Sequence, residues 1–577
     1  MTVIDRNTQI ELVGRGTLTI RPNDHVATGG EGSVYRVADT IIKLYTDPNK
    51  MQREGIADKI LLLAPLSSER IIAPRGLVLI KGQPRGFYMS AADGDPLSLF
   101  FTNDYRREKK LTDKDASVLA DRMREVMATV HAHSVVMGDS NEMNWFALPH
   151  GKGGPDPRAI DVDSWSVGKF PVRAVMPSIR DWNHPGFTPL SDWFGWGVVT
   201  FQVYTGIHPY KGKLPGYAPG AMQERMKANA SVFAPGVGLN RAVRDFSCIP
   251  GPLLDWYRAT FQQGERTIPP SPFDTGTGIA SAARVMRIVT TQATGMLVYE
   301  KIFEETNDPA IKIYPCGVVL LRSGKLADIE KKRIIGKATE SVCEVIKVEG
   351  GYVKTEGKGR GLRYSYIHGN TLREEALGVS VAGEQIVRYA DRIFLLTADG
   401  LTELIFTLLG KPILSPGMTW GVMSKSVRWY DGVGIQDTMG AMYLILPFGD
   451  TSCAHVRVPE LDRMRAVNAK AGNRFVSIVA IDKKGDYHKL ELSLDKEYRS
   501  YSLRIAVADG PDLNLSILPK GVCATVVEDG TLDIFVPSSG VHKEVKDKII
   551  ATDMSLASWG DTVVCMQNGA VWSLKLK

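Results

Sequence analysis

Ala27-Thr28-Gly29-Gly30-Glu31-Gly32-Ser33-Val34-Tyr35, followed by Thr40-Ile41-Ile42-Lys43-Leu44-Tyr45, is the stretch whose reading decides the first half of the chain. Three glycines lie between two runs of strand-forming residues. Without a Cβ, the backbone N–H groups of such a turn can approach phosphate oxygens closely. Lys43 follows in an apolar strand, where its ammonium must either snorkel to water or meet an anion. Each feature taken alone also fits a solvated hairpin with an edge lysine.

Outward from this turn, short apolar runs alternate with turns from about 10 to 95, with one helical candidate at 49–63, which predicts a β-rich lobe. From about 111 to 285 the apolar period moves toward that of a helix, with candidates at 113–133, 190–206, 217–228 and 251–262. After about 290 the pattern changes again. VVLLRSGKLADI, RIFLLTADGLTELIF, FVSIVAIDKKGDYHKLEL, ATVVEDGTLDIFV and TVVCMQNGAVWSLKLK are strand pairs joined by Gly-centred turns, and weaker candidates stand at 350–367 and 427–447. A hairpin every roughly 33 to 48 residues is the blade period of a β-propeller, so six or seven blades are expected. The WD and GH signatures of a named propeller family are missing, and a pair of β-sandwiches is the other architecture this pattern allows.

The 577 residues exceed one hydrophobic core and predict at least two domains. With 44% apolar and 23% charged residues, both halves are expected to fold. A net charge of +6 without a basic block gives no ground for a nucleic-acid or membrane-surface partner. The N-terminus lacks an apolar leader and no run approaches the roughly 18 apolar residues of a membrane span, so a soluble, cytoplasmic protein is expected. The six cysteines are scattered, with no CxxC pair, and suggest neither a disulfide framework nor a zinc site.

Two further segments carry chemistry. In His131-Ala-His-Ser-Val-Val-Met137-Gly138-Asp139-Ser-Asn141-Glu-Met-Asn144, an Asp stands five residues before an Asn at the end of a helix. In Ile160-Asp161-Val162-Asp163-Ser164-Trp165, two carboxylates follow an apolar strand end. A carboxylate can orient a hydroxyl and take its proton, and amide and carboxylate oxygens suit Mg²⁺.

In order and spacing these segments resemble the protein-kinase superfamily, and within it the Ser/Thr kinase-like domains of bacteria or phages. The resemblance implies a two-lobed kinase-like domain at 1–285, with lobes at about 10–95 and 96–285, followed by a propeller-like domain at 290–577. It implies that Gly29, Gly30 and Gly32, with Val34 beyond them, cover the phosphates of ATP. Lys43 would position those phosphates and pair with Glu54, the only Glu of the 49–63 helix. Asp139 would orient the attacking hydroxyl, while Asn144 and Asp161 would hold Mg²⁺ or Mn²⁺, with Asp163 as the alternative ligand. Asp192, opening the helix of SDWFGWGVVTFQVYTGIHPY, would cap the loop that carries Asp139, and Arg266 would close the helical lobe.

The chain departs from the family pattern at several points. Ala27 replaces the first glycine, Met137 and Gly138 replace a His-Arg pair, and Asn141 replaces a lysine of the catalytic loop. The stretch 174–181 contains no glutamate to meet Arg266. The expected activity is phosphoryl transfer from ATP to a protein Ser or Thr hydroxyl, with the propeller docking a protein partner. A pseudokinase scaffold that binds nucleotide without turnover, and a small-molecule phosphotransferase of the aminoglycoside or choline kinase type, are the alternatives. Deletion of 290–577 is expected to spare ATP binding unless the halves form one structural unit.

Overall fold

Alternating apolar and polar residues in TQIEL and GTLTI fold as a hairpin of β1 (Thr8–Leu12) and β2 (Gly16–Ile20), which buries Ile10, Leu12 and Ile20 on one face. The computed structural model describes residues 4–274 and 297–576 apart from 48, 173, 241, 341–342, 450–451, 528–530, 548–549 and 551–553. The expected domain boundary at 285–290 lies outside the described residues.

The hairpin is part of a seven-stranded antiparallel sheet. It continues with β3 (His25–Thr28), β4 (Gly32–Val37), β5 (Thr40–Tyr45), β6 (Gly76–Ile80) and β7 (Gln83–Ser90), in the order β2-β1-β6-β7-β5-β4-β3. Gly32 is required by close approach, because a Cβ there would collide with the Leu44 carbonyl of the neighbouring strand. The second face of the sheet packs Tyr45 and Phe87 against Met51, Ile56 and Ile60. Those residues come from α1 (Lys50–Arg53) and α2 (Ile56–Leu63), so the single helix expected at 49–63 is two pieces. The break is at Gly55, whose φ of +60° is left-handed.

A short sheet of β8 (Asp95–Pro96), β9 (Trp145–Gly151) and β10 (Gly154–Ala159) leads into the helical part. There α3 (Asn103–Glu108), α4 (Asp113–Ala132), α5 (Pro189–Thr205), α6 (Met222–Lys227) and α7 (Gly251–Arg258) surround one apolar core. α5 starts on a Thr188 cap with Pro189 in its first turn and stops at Gly206, φ +80°. From Asp192 to its end every residue of α5 is buried, as its nearly continuous apolar sequence dictates. The N-terminal region is thus an α+β unit.

The C-terminal region is all-β. Among the described residues it forms seven four-stranded antiparallel sheets, of which six are meanders of consecutive strands at 310–337, 343–377, 385–420, 427–457, 465–508 and 515–545. The seventh joins the three last strands to β11 (Leu297–Phe303), which pairs with the final strand from Leu297↔Leu576 onward. The seven hairpins read from the sequence fall one to a sheet. No helix among the described residues is long and apolar enough to cross a membrane.

Candidate functional site

β4 and β5 pair so that Val34 and Lys43 are direct cross-strand neighbours on one face, half-buried below the glycine turn. In that turn the Gly29 N–H donates to the Gly32 carbonyl at 2.9 Å, while Gly29 and Gly30 stay exposed, with open space where a Cβ of Gly30 would stand. Lys43 reaches out of the sheet to the segment after β10. Its Nζ lies 3.0 Å from Asp161 Oδ1 and 2.7 Å from Asp163 Oδ2. The Tyr45 hydroxyl donates to the same Asp163 oxygen at 2.9 Å. Burial alone would lower the Lys43 pKa, but the two carboxylates reverse this and hold it well above its ordinary value.

The two aspartates differ. Asp163 is almost wholly enclosed, and Lys43 with Tyr45 and Lys59 keeps its pKa low against the opposing effect of burial. The Asp161 side chain is 40% exposed, so it is the carboxylate that presents an oxygen to the cleft. Burial first, and repulsion from Asp163, raise its pKa to about 6 despite Lys43. Its backbone is left-handed, φ +58°, and the Ser164 hydroxyl donates to its carbonyl at 2.8 Å. A strained non-glycine residue held this way is typical of sites where a side chain must point in one direction.

The structure does not bring Glu54 to Lys43. With the helix broken at Gly55, Glu54 lies 3.6 Å from Arg53, and the positions around Lys43 are taken by Asp161 and Asp163. Lys59 of α2 enters instead, buried, donating from Nζ to the Asp163 carbonyl at 2.7 Å, and burial lowers its pKa. Its position was readable: Ile56, Lys59, Ile60 and Leu63 share one helical face.

The loop after α4 is fixed from below. The fully buried Asp192 carboxylate accepts the Met137 N–H at 2.8 Å and the Gly138 N–H at 2.7 Å, and meets His131 Nε2 at 2.8 Å. Gly138 has φ +69°, and the Val172 methyls lie 2.6 Å from where its Cβ would be, so no arginine fits there. Asp139 Oδ1 accepts from Asn141 Nδ2 at 3.0 Å and from the Met176 N–H at 2.9 Å. Burial raises the Asp139 pKa, with those two donors opposing. Asn144 Nδ2 donates to the Asp139 carbonyl at 2.7 Å, which leaves the amide oxygen free to coordinate. The Ile160 N–H donates to the Asn144 carbonyl at 2.9 Å and so ties the segment carrying Asp161 to this loop.

The half-buried Lys43 thus meets the carboxylates of Asp161 and Asp163 below the glycine turn, and the Ile160–Asn144 backbone bond ties the loop of Asp139 and Asn144 to them. Asn144 and Asp161 offer the oxygen donors a hard divalent cation prefers. Farther down, Arg266 makes a two-pronged contact with Asp181, Nε to Oδ2 at 2.6 Å and Nη2 to Oδ1 at 2.8 Å. An aspartate thus fills the place for which no glutamate was found in 174–181.

The C-terminal region adds a third wall that local sequence patterns did not reveal. The Thr28 N–H donates to Asp437 Oδ2 at 3.0 Å and Lys425 pairs with Asp24 at 2.6 Å, both beside the glycine turn. On the opposite side the Tyr487 hydroxyl donates to Glu142 Oε1 at 2.8 Å and the Ser178 N–H to the Lys484 carbonyl at 3.0 Å. Met143 packs with Val467, Phe475 and Tyr487. A cavity of about 820 Å³ opens away from the cleft, along 489–544 and beside Asn240, and includes none of these charged site residues.

No protein-family model matches this chain, and no curated protein matches it either.

Proposed function

We propose that the N-terminal region is a two-lobed protein-kinase-like domain that binds ATP with Mg²⁺ or Mn²⁺ and transfers its γ-phosphoryl group to a Ser or Thr hydroxyl. The observation that carries this reading is the convergence of Lys43 with Asp161 and, through the Ile160–Asn144 backbone bond, with the loop of Asp139. In this reading Gly29, Gly30 and Gly32 present backbone N–H groups to the phosphates, and Lys43 exchanges part of its hold on the aspartates for phosphate oxygens. Asn144 and Asp161 would hold the divalent ion, which supplies charge neutralisation on the phosphates. Asp139 orients the acceptor hydroxyl and takes its proton, while Asp163, Tyr45 and Lys59 keep Lys43 in place. Most of the catalysis is then positioning and electrostatics.

The seven sheets, with the first strand of the region closing the last sheet, support a seven-bladed β-propeller. The hairpin of strands Gly400–Leu409 and Lys411–Trp420 leaves Ile405, Leu409, Ile413 and Met418 exposed, an apolar surface suited to a protein partner.

A second reading, a nucleotide-binding pseudokinase, is favoured by one feature. The Ser178–Lys484 bond places the chain's own C-terminal region against the segment whose Met176 N–H holds Asp139, where a protein acceptor would have to lie. The test is transfer of label from γ-labelled ATP with Mg²⁺ or Mn²⁺ to the protein or a generic acceptor, beside Lys43→Ala and Asp139→Asn. Label lost in both variants supports the kinase. Nucleotide binding without label supports the second reading, and transfer unchanged in Asp139→Asn overturns the assignment.

A further inference from the structure

Arg465 is the first residue of the strand Arg465–Gly472 in the C-terminal region, and its side chain is exposed to solvent. Its Nη1 donates to the Met143 carbonyl at 3.4 Å, a long bond that sets the guanidinium one residue from Asn144 and leaves most of its five donors unused. Among the described residues Arg465 makes no ion pair. Its surroundings nevertheless desolvate it and lower its pKa, and the charge that chiefly opposes this is that of Asp161.

A second arginine lies near enough for its charge to act on Arg465. Arg428, in the strand Val427–Trp429 of the neighbouring sheet, lies over the Tyr430 ring at 5.5 Å, and its charge repels that of Arg465. The Tyr430 hydroxyl donates to the Ala466 carbonyl at 2.9 Å and holds the two strands together. Arg428 also makes no ion pair among the described residues. Two neighbouring arginines with no carboxylate partner among the described residues raise each other's energy, and an anion bound at Arg465 relieves both. The loop below brings no cation of its own, because Ser140, Asn141, Glu142 and Met143 fill the interval between Asp139 and Asn144.

We propose that Arg465 binds the terminal phosphate of the nucleotide, so that the C-terminal region completes the phosphate site of the N-terminal one. The proposal rests on the nucleotide-binding reading of the cleft. The planar guanidinium suits two phosphate oxygens at once, which a lysine cannot match.

Calorimetric titration of the full chain with Mg-ATP and with Mg-ADP tests it, for the wild type, Arg465→Ala and Arg465→Lys. The expected result for Arg465→Ala is a loss of roughly tenfold or more in ATP affinity, the weight of a charge-assisted bond, with ADP affinity nearly unchanged. Arg465→Lys should fall between the two, and thermal unfolding should show all three folded alike, as expected for an exposed side chain. Equal weakening of ATP and ADP would place the arginine on the inner phosphates or ribose and overturn the assignment. No weakening of either would overturn it outright. A wild type that binds neither nucleotide would instead overturn the reading of the cleft itself.

Discussion

Tyr487 and Glu142 meet across the boundary between the two regions, the Tyr487 hydroxyl donating to Glu142 Oε1 at 2.8 Å. Glu142 stands in the loop between Asp139 and Asn144, is buried, and has a second oxygen, Oε2, with no partner. Burial pushes its pKa up while Tyr487 works against that shift. Tyr487→Phe removes the hydrogen bond to Oε1 and should destabilise the chain by about 1–3 kcal/mol. In a Glu142→Gln background, where no buried charge is at stake, the same change should cost less. A double-mutant cycle followed by denaturant unfolding checks this, and equal losses in both backgrounds would show that the pair is not coupled.

Arg266 and Asp181 form the best enclosed ion pair of the helical part, with side chains only 5% and 2% exposed. The guanidinium also lies over the Phe194 ring at 4.6 Å. Removing one member of a buried pair strands the other charge, so Arg266→Ala or Asp181→Asn should destabilise by roughly 3–5 kcal/mol. Arg266→Lys should not restore the loss, because an ammonium cannot reproduce the two-pronged contact or the stacking. Thermal unfolding of the three variants decides it, and a Lys variant as stable as wild type would refute the geometric part of the argument.

The seven hairpins were legible because a glycine turn between apolar runs is a local signal, and each one fell in its own sheet. The strand Leu297–Phe303 carried no such signal, since its partner is the end of the chain rather than the next strand. In the cleft, Lys43, Asp139, Asn144, Asp161 and Asp163 stand out in the sequence because each belongs to a short motif. The pairing of Glu54 with Lys43 implied by the resemblance expects one helix over 49–63, and Gly55 divides it in two. Lys59 lies on a helical face readable from the sequence, whereas the pairing of Asp181 with Arg266 has no local signal, because the two stand 85 positions apart. The contacts of Thr28 with Asp437 and of Glu142 with Tyr487 join residues hundreds of positions apart and leave no periodic trace.

Those contacts bear on truncation. A chain ending at 274 would expose Met143, lose the Tyr487 bond to Glu142 and free the glycine turn from Asp437. The truncated protein should therefore unfold at a lower temperature than the full chain and bind ATP more weakly, contrary to the independence expected from the motifs alone. Fragment 1–274 with full ATP affinity would show that the third wall is dispensable.

On the proposed reading of the cleft, Asp161 would link metal binding to pH. Its pKa is raised to about 6, with burial as the main cause, and a hard cation needs the ionised carboxylate. Mg²⁺-dependent nucleotide binding should hold above pH 7 and weaken as pH falls through 6, when the proton competes with the metal. Asp161→Asn should bind Mg-ATP weakly and without that pH dependence. Titrations at pH 7.5 and 5.5 test both, and a wild-type affinity equal at the two values would remove Asp161 from the metal site.

Asp512 gives the boundary its own pH dependence. Its Oδ1 accepts the Asn103 N–H at 3.0 Å, and desolvation first, then the charge of Asp104, raise its pKa from 3.8 to about 7 against Arg244 and Arg107. An acid whose folded pKa lies above its unfolded value holds its proton more tightly when folded. Its contribution to stability therefore declines as pH rises from 3.8 toward 7 and is level beyond that. Asp512→Asn is neutral throughout and can still accept the Asn103 N–H. The variant should gain on the wild type in unfolding temperature between pH 5 and 7, and the gap should stop growing by pH 8. A gap constant over that range would mean that Asp512 titrates as it does in the unfolded chain.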